Sequence, residues 1–257
     1  MSRTQAADLI GAGRVLVAGS VADKAGRLVS PAQPITLAGP PPRFVSRGGE
    51  KLEGALRTFG VDPGGKRALD AGASTGGFTD CLLQHDAILV VAIDVGRGQI
   101  HEKISRDPRV LVRERTDIRS ISLDDIGGTP FDLVVADLSF ISLRTVAPAL
   151  VGMAGAGADM VVLIKPQFEA GRREASRGQG VIRHPEVWRK ALEGAIAALG
   201  AAGATMMGVM VSPLRGADGN TEFLAHFRRE ADPSPFTPET RLDLESVLAQ
   251  AAADRRG

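Results

Sequence analysis

The chain has 257 residues, of which 44% are hydrophobic and 24% charged, and its formal net charge is +1. This composition is typical of a globular protein and excludes a disordered, collagenous or coiled-coil chain. No apolar run reaches the roughly 18–20 residues of a membrane span, and the first residues lack the apolar core of a signal peptide. We therefore expect a cytoplasmic protein with no membrane partner. One cysteine, Cys81, and four histidines exclude a disulfide and argue against a bound metal.

The first 60 residues differ in pattern from the rest of the chain. Residues 4–10 predict a short helix, and residues 14–17 and 21 predict a strand, a turn and a second strand. One glycine and three prolines at 39–42 predict a stiff linker, so we place a first unit at 1–38 and the linker at 39–45. Residues 1–60 carry eight basic and four acidic side chains. This excess of positive charge favours a polyanionic partner.

After the linker, short apolar strands alternate with segments of helical length. The predicted strands cover residues 68–71, 88–94, 131–137 and 160–165. This alternation predicts an α/β fold with a doubly wound parallel sheet and helices on both faces. Residues 186–200 predict a helix, and 205–211 and 223–228 predict two late strands that could pair antiparallel. Residues 231–257 form a proline-bearing tail that we expect to become helical from about residue 238.

A glycine-rich segment, residues 70–78 (DAGASTGGF), follows the first of these strands. It lies at the carboxyl end of a strand, where open α/β sheets bind ligands. The dinucleotide fingerprint needs a glycine where Ser74 stands, whereas the carboxylate of Asp70 can pair with an ammonium group. These features favour S-adenosylmethionine over a dinucleotide, with a ligand-free turn as the alternative. The predicted cofactor-binding residues are Asp70, Gly72, Ala73, Ser74, Gly76, Gly77, Phe78, Asp94, Asp117 and Asp137.

Two further strand ends carry charged residues, Asp137 and Lys165. A lysine at the tip of an apolar strand is partly desolvated and easier to deprotonate, although a snorkelling surface lysine is the alternative. Lys51 lies in a predicted amphipathic helix and Glu222 precedes a late strand, and either alone could be an ordinary surface residue. The Asn-Pro-Pro-Tyr motif of adenine methylation is absent, and the chain has no tyrosine. Methylation of a base nitrogen is therefore disfavoured.

Together, Lys51, Asp137, Lys165 and Glu222 resemble the Lys-Asp-Lys-Glu tetrad of the FtsJ-like ribose 2′-O-methyltransferases. The flanking residues are more similar still to the TlyA branch, ribosomal RNA 2′-O-ribose methyltransferases that are often labelled hemolysins. The similarity covers about residues 2–230. The matching segments are 46–52 (SRGGEKL), 70–78 (DAGASTGGF), 136–143 (ADLSFISL) and 164–169 (IKPQFE).

The resemblance implies a Rossmann-like class I methyltransferase domain at 46–230, preceded by a small alpha-L type RNA-binding domain. Residues 2–37 match only the second half of that small domain, so we expect either a late start codon or a natural shortening. The implied reaction is S-adenosylmethionine-dependent 2′-O-methylation of a cytidine ribose in ribosomal RNA. Lys165 would be the base, Asp137 would orient it, and Lys51 and Glu222 would position the hydroxyl. No obligate protein partner is implied.

Arginines and lysines would contact the RNA phosphates, and the glycine- and arginine-rich segment 169–183 reads as a loop over the RNA. Three alternatives remain. An RNA-binding or ribosome-assembly protein could keep the fold without turnover. A small-molecule O-methyltransferase fits the basic first part of the chain less well. A pore-forming hemolysin is disfavoured because no amphipathic span or hairpin alternation is present. The predicted RNA-binding residues are Arg3, Arg14, Lys24, Arg47, Arg172, Arg173 and Arg177.

Overall fold

The computed structural model describes residues 3–40, 42–170, 180–216, 218–230 and 244–254. The chain begins with helix α1 (Arg3–Gly11) and strands β1 (Val15–Val17), β2 (Ser20–Val21) and β3 (Ile35–Leu37). These strands form a small antiparallel sheet in the order β2-β1-β3. The predicted helix and strand–turn–strand are confirmed. Strand β3 was not predicted, because it has only three residues and all of them are exposed.

A seven-stranded mixed sheet follows within the described residues, in the order β6-β5-β4-β7-β8-β10-β9. Strands β4 to β8 are parallel, and β10 runs antiparallel to both β8 and β9. The predicted α/β sheet and its late antiparallel pair are confirmed, and β6 is an additional edge strand. The strands are β4 (Arg67–Ala71), β5 (Leu89–Ile93), β6 (Val110–Arg113), β7 (Phe131–Ala136), β8 (Ala154–Ile164), β9 (Ala204–Val211) and β10 (Phe223–Arg229).

Helices cover both faces of this sheet, because each buried strand presents alternate residues to opposite sides. In β8, Val161 and Leu163 join one apolar core, whereas Met160 and Val162 join the other. The first core includes residues of α2 and α3, and the second includes residues of α5 and α7. The helices are α2 (Gly48–Phe59), α3 (Gly77–Gln84), α4 (Glu102–Ser105), α5 (Leu143–Met153), α6 (Pro166–Glu169), α7 (Pro185–Ala201) and α8 (Leu244–Ala253).

The sheet has a topological switch point between β4 and β7. From β4 the chain moves outward through β5 to β6, and it then returns to build β7 on the other side of β4. Ligands of open α/β sheets bind in the crevice outside the carboxyl ends of the strands at such a point. Among the described residues, no helix combines the length and apolar character that crossing a membrane requires. The tail is described from 244 to 254, where α8 lies within the part predicted to be helical.

Candidate active site

The glycine-rich turn after β4 is held close to the end of β7. Gly72 and Gly76 have φ angles of 89° and 91°, in the left-handed region that favours glycine. A Cβ atom at Gly72 would lie 2.5 Å from the carbonyl oxygen of Asp137, so a side chain has no room there. The amide of Asp137 in turn donates to the carbonyl oxygen of Ala71 at 3.0 Å. The turn therefore brings its backbone to the switch point.

Asp70, at the inner end of this turn, is fully buried. Its Oδ2 accepts a hydrogen bond from the Thr79 hydroxyl at 2.6 Å, whereas Oδ1 has no hydrogen-bond partner among the described residues. Burial raises the pKa of Asp70 to about 7; the hydrogen bond from Thr79 opposes this shift, and the nearby carboxylate of Asp137 adds to it. A buried carboxyl group with one unpartnered oxygen fits a ligand ammonium group, as the sequence predicted for S-adenosylmethionine.

Asp94 and Asp117 follow β5 and β6 and have different surroundings. Asp94 accepts from the backbone amides of Gly96 at 2.6 Å and Ser74 at 2.8 Å, and its carboxylate retains lone pairs for ribose hydroxyls. Asp117 caps a short 3-10 turn and forms a 2.6 Å ion pair with Arg119. The hydrogen bonds from Arg119 lower the pKa of Asp117 to about 2. The cofactor roles of both residues stay predictions.

The remaining predicted cofactor residues lie in or just after the turn. The amide of Ala73 donates to the carbonyl oxygen of Ile93 at 3.1 Å, which ties the turn to β5. Phe78 is buried beneath α2. A Cβ at Gly77 would lie 2.9 Å from the amide nitrogen of Gly49. The glycines of the 46–52 and 70–78 segments therefore let α2 and α3 approach closely, which is a packing role that the motifs did not reveal.

Lys165 and Asp137 form the first ion pair at the carboxyl edge of the sheet. Lys165 directly follows β8 and Asp137 directly follows β7, which lies parallel to it. Nζ of Lys165 is 2.5 Å from Oδ1 of Asp137 and donates a hydrogen bond to Oγ of Ser139 at 2.9 Å. Nζ also lies 5.8 Å from the centre of the Phe168 ring. The lysine amine is thus fixed between a carboxylate, a hydroxyl and an aromatic ring.

Lys51 and Glu222 form a second, more deeply buried ion pair. Nζ of Lys51 lies 2.6 Å from Oε2 of Glu222. Glu222 directly precedes β10, whose first residue, Phe223, pairs with Ile164 at the end of β8. The amide of Gln167 donates to Oε1 of Glu222 at 3.4 Å. The structure therefore places the four predicted catalytic residues at one sheet edge, as two ion pairs beside each other.

Phe140 is a residue of this edge that sequence reasoning did not single out. Its side chain is 92% exposed, and its φ angle of 65° is unusual for an aromatic residue. The ring lies 5.2 Å from that of Phe168, with the two planes tilted by 52°. Strained backbone and exposed apolar surface both concentrate at functional sites. In the sequence, the feature that could have indicated Phe140 is its place directly after the Asp-Leu-Ser segment at the end of a predicted strand.

The predicted RNA-binding residues are scattered. The guanidinium of Arg14 donates to the carbonyl oxygens of Ala38 at 3.0 Å and of Pro40, so it fastens the linker to β1. Lys24 is exposed in the loop after β2, and Arg47 is exposed beside the start of α2. The side chain of Arg3 and all of Arg172, Arg173 and Arg177 lie outside the described residues. An RNA-binding role for each stays a prediction.

One group of possible metal ligands occurs in the described part of the chain. Donor atoms of Glu53, Cys81 and His85 lie within 4.8 Å of one another. Glu53 already forms ion pairs with His85 at 2.6 Å and with Arg43 at 2.9 Å. Burial raises the pKa of the Cys81 thiol, and a metal binds the thiolate rather than the thiol. We interpret the group as a polar cross-link between α2 and α3.

Comparisons with known proteins identify the family that the chain resembles. The family model of the FtsJ-like methyltransferases matches residues 44–229. The 16S/23S rRNA (cytidine-2′-O)-methyltransferase TlyA of Mycobacterium tuberculosis is 47% identical over 90% of this chain and 86% of its own length. Hemolysin A of Brachyspira hyodysenteriae is 40% identical over 88% of this chain and 93% of its own. A solved structure from Streptococcus thermophilus is similar with a TM-score of 0.82 and 37% identity, over 99% of this chain and 92% of that one.

Proposed function

The chain belongs to the FtsJ-like methyltransferase family, and from this premise we propose that it methylates the 2′-hydroxyl of a cytidine ribose in ribosomal RNA. The methyl donor is S-adenosylmethionine. The observation that carries the proposal is the lysine–carboxylate pair of Lys165 and Asp137, which stands beside the glycine-rich turn at the switch point. The relatives named for ribosomal RNA cytidine methylation cover most of the chain and support this substrate.

The turn after β4 supplies the groups that would hold the donor. Oδ1 of Asp70 would accept a hydrogen bond from the ammonium group, and Asp94 would accept from the ribose hydroxyls. Because Gly72 has no side chain, the turn packs directly against the backbone of Asp137. When bound, S-adenosylmethionine supplies a sulfonium-activated methyl group.

Lys165 is the residue that would take the proton of the ribose hydroxyl. A 2′-hydroxyl is a weak nucleophile, so transfer requires that a base at hydrogen-bond distance removes its proton as it attacks. Asp137 and Ser139 hold Nζ of Lys165 at the sheet edge. The remaining direction around this nitrogen would face the ribose hydroxyl. Such positioning is worth up to roughly 7–11 kcal/mol of the barrier.

Lys51 and Glu222 would place the hydroxyl rather than accept its proton. Their charges oppose each other at 2.6 Å, so the buried pair adds no net charge next to Lys165. The amide of Gln167 contacts the same carboxylate, and Gln167 lies two residues after Lys165. Movement of Glu222 would therefore be transmitted to the segment that holds the base.

The exposed ring of Phe140 and the half-buried ring of Phe168 would receive the nucleobase of the target nucleotide. Aromatic side chains bind unpaired bases by stacking, which contributes about 1–3 kcal/mol per base. The two rings lie beside Lys165, so a stacked base would bring its own ribose toward Nζ. This arrangement favours a nucleotide that has left its helix.

Methyl transfer to ribosomal particles tests the proposal directly. The full chain is incubated with methyl-labelled S-adenosylmethionine and one substrate in each reaction. The four substrates are unmodified small subunits, large subunits, whole ribosomes and protein-free ribosomal RNA. Primer extension at low nucleotide concentration then maps each 2′-O-methyl group. We expect labelled ribosomal RNA and a stop at a cytidine, with particles as better substrates than free RNA.

Two outcomes would overturn this proposal. Label in a base rather than a ribose would remove the assigned chemistry. Donor binding without transfer to any substrate would favour an RNA-binding or assembly protein that keeps the fold.

A further inference from the structure

Glu169 is a buried carboxylate for which the proposed reaction has no use. It ends α6, four residues after Lys165, and its residue is 4% exposed. Both of its oxygens have partners on another segment. Oε1 accepts from the backbone amide of Leu143 at 2.7 Å, and Oε2 accepts from the hydroxyl of Ser142 at 2.5 Å.

The partners of Glu169 lie at the far end of the loop that follows β7. Ser142 is the N-cap of α5, and its Oγ also accepts from the amide of Arg144 at 3.2 Å. Residues 137–141, just before it, contain Asp137, Ser139 and the exposed ring of Phe140. A second contact joins the same segments, since Nη2 of Arg144 donates to the carbonyl oxygen of Glu169 at 2.6 Å.

These contacts close a ring of short segments around the base. From Lys165 the chain runs through α6 to Glu169, across to Ser142, back along the loop to Asp137, and across the ion pair to Lys165. The loop is thus fixed at both ends. Phe140 has its φ angle of 65° within this span, and backbone strain of this kind persists where the surroundings impose it.

We propose that Glu169 is a positioning residue that sets the separation of Asp137 and Phe140 from Lys165. This inference rests on the proposed function, because it concerns the same base and the same stacking face. A carboxylate that served only to cap α5 would stabilise the protein without affecting the rate of transfer. The two roles therefore differ in what a substitution does to catalysis.

Glu169→Gln is the test variant because the two side chains have nearly the same shape. The new amide nitrogen cannot accept from the hydroxyl of Ser142, whose oxygen already accepts from two groups of Arg144. We expect the single-turnover transfer rate to fall about 10- to 100-fold, since small displacements of reacting groups have effects of this size. The Kd for S-adenosylmethionine, measured by calorimetry, should change less than about twofold, because Glu169 does not contact the glycine-rich turn.

Asp159→Asn provides the matched control. Asp159 is also a buried carboxylate with several partners, but it lies at the middle of β8, five residues before the end of the strand. All variants are assayed below their measured Tm. Equal losses of rate in both variants, or an unchanged rate in Glu169→Gln, would overturn the inference.

A double-mutant cycle with Ser142→Ala separates positioning from general damage. If Glu169 acts through Ser142, the double variant should lose no more rate than Glu169→Gln alone, whereas independent effects would multiply. An additive cycle would overturn the inference. The wild-type protein in the same assay tests the proposed function separately, since a lack of wild-type transfer would contradict that function before any variant is compared.

Discussion

Strand β8 has a lysine–carboxylate ion pair at its middle and another just beyond its carboxyl end, and the two pairs are built differently. At the middle of the strand, Asp159 contacts Lys66 at 3.0 Å, His226 at 3.0 Å and Arg228 at 3.2 Å. At its carboxyl end, Lys165 lies 2.5 Å from Oδ1 of Asp137, but the contact lacks hydrogen-bond geometry. The Asp159 carboxylate is surrounded by partners, whereas the Asp137 carboxylate can still accept hydrogen bonds from a ligand.

The unpartnered buried atoms are concentrated at the carboxyl edge. Among the described residues, three of the four buried side-chain atoms without a hydrogen-bond partner lie there: Oδ1 of Asp70, Oε1 of Gln167 and Oδ1 of Asp137, which keeps its ion pair with Lys165. The fourth, Nε of Arg67, lies at the start of β4, at the opposite edge. A buried polar atom without a partner costs about 1–3 kcal/mol, and such a cost is typical of a site whose ligand supplies the missing partners. We therefore expect the middle of β8 to stabilise the fold and its carboxyl end to face the reactants.

Replacing the lysine of each ion pair by alanine should give the largest contrast in the rate of methyl transfer. We expect Lys165→Ala to lower the single-turnover transfer rate by about 10³-fold or more, in line with the loss of a general base, while donor binding persists. Lys66→Ala removes the lysine that is ion-paired with Asp159 at the middle of β8 and should keep the wild-type rate. A Lys165→Ala rate within tenfold of wild type would exclude Lys165 as the base.

Asp70→Asn should weaken donor binding about 30-fold or more, because a buried carboxylate that pairs with a cation is lost. In the wild type, the pKa of Asp70 is raised to about 7. Its ionised form binds the ammonium group, so affinity should rise as pH increases from 5.5 to 7.5, below the range in which an α-amino group loses its proton. Calorimetric titration across this pH range measures the donor affinity. An affinity that does not change with pH would contradict the assignment of Asp70 as the residue that binds the ammonium group.

The stability of the donor-free protein gives the control for this substitution. The folded-state pKa of Asp70 lies above its ordinary value, so its stabilising contribution is present at low pH and is lost as pH rises through about 7. Asparagine stays neutral. Asp70→Asn should therefore melt a few degrees higher than the wild type at pH 8, with little difference near pH 4. A lower Tm at pH 8 would show that the charge of Asp70 stabilises the fold.

Phe140→Ala should lower kcat/KM for RNA about tenfold, since the stacking face beside Lys165 is lost. Donor affinity should be unchanged. Phe140→Gly should lower transfer equally but raise the Tm slightly, because glycine adopts a φ of 65° without strain. Full activity in both variants would remove Phe140 from the substrate site.

The smallest effect on catalysis is expected from Asp159→Asn. The hydrogen bond from His226 and those from Lys66 and Arg228 hold the pKa of Asp159 well below its usual range. The stability that this provides is present above about pH 4 and is lost as pH falls further. The variant should melt a few degrees lower than the wild type at pH 7 and transfer methyl groups at the wild-type rate. A large loss of rate would contradict the division between the middle and the carboxyl end of β8.

The sequence predicted the strands that support the site because their apolar runs are short and continuous. Since parallel strands end at one edge, the proximity of Asp137 and Lys165 followed from this pattern. The contact of Lys51 with Glu222 did not, because it depends on β10 lying between β8 and β9. The four residues were grouped by their resemblance to a family tetrad.

Contacts between loops that lie far apart in the sequence could not be predicted from the sequence. Ser139 and Glu169 lie in motifs that the sequence singled out, but each acts through a partner 26 or 27 positions away. Strand β3 was missed because three exposed residues are too short a segment to reveal a period. Asp117 was grouped with the cofactor residues by its place after a strand, whereas its strongest contacts are with Arg119.

The position of β10 has a consequence for how the protein is made. Strand β9 is synthesised before β10, yet β10 occupies the place next to β8. A growing chain that has passed Lys165 already contains the donor turn and the base, but Lys51 still lacks its carboxylate. Contacts between such distant positions form late in folding. Activity should therefore arise in a single late step, when the last strand inserts, and a nascent chain that stops before it would bind the donor without being able to place the ribose.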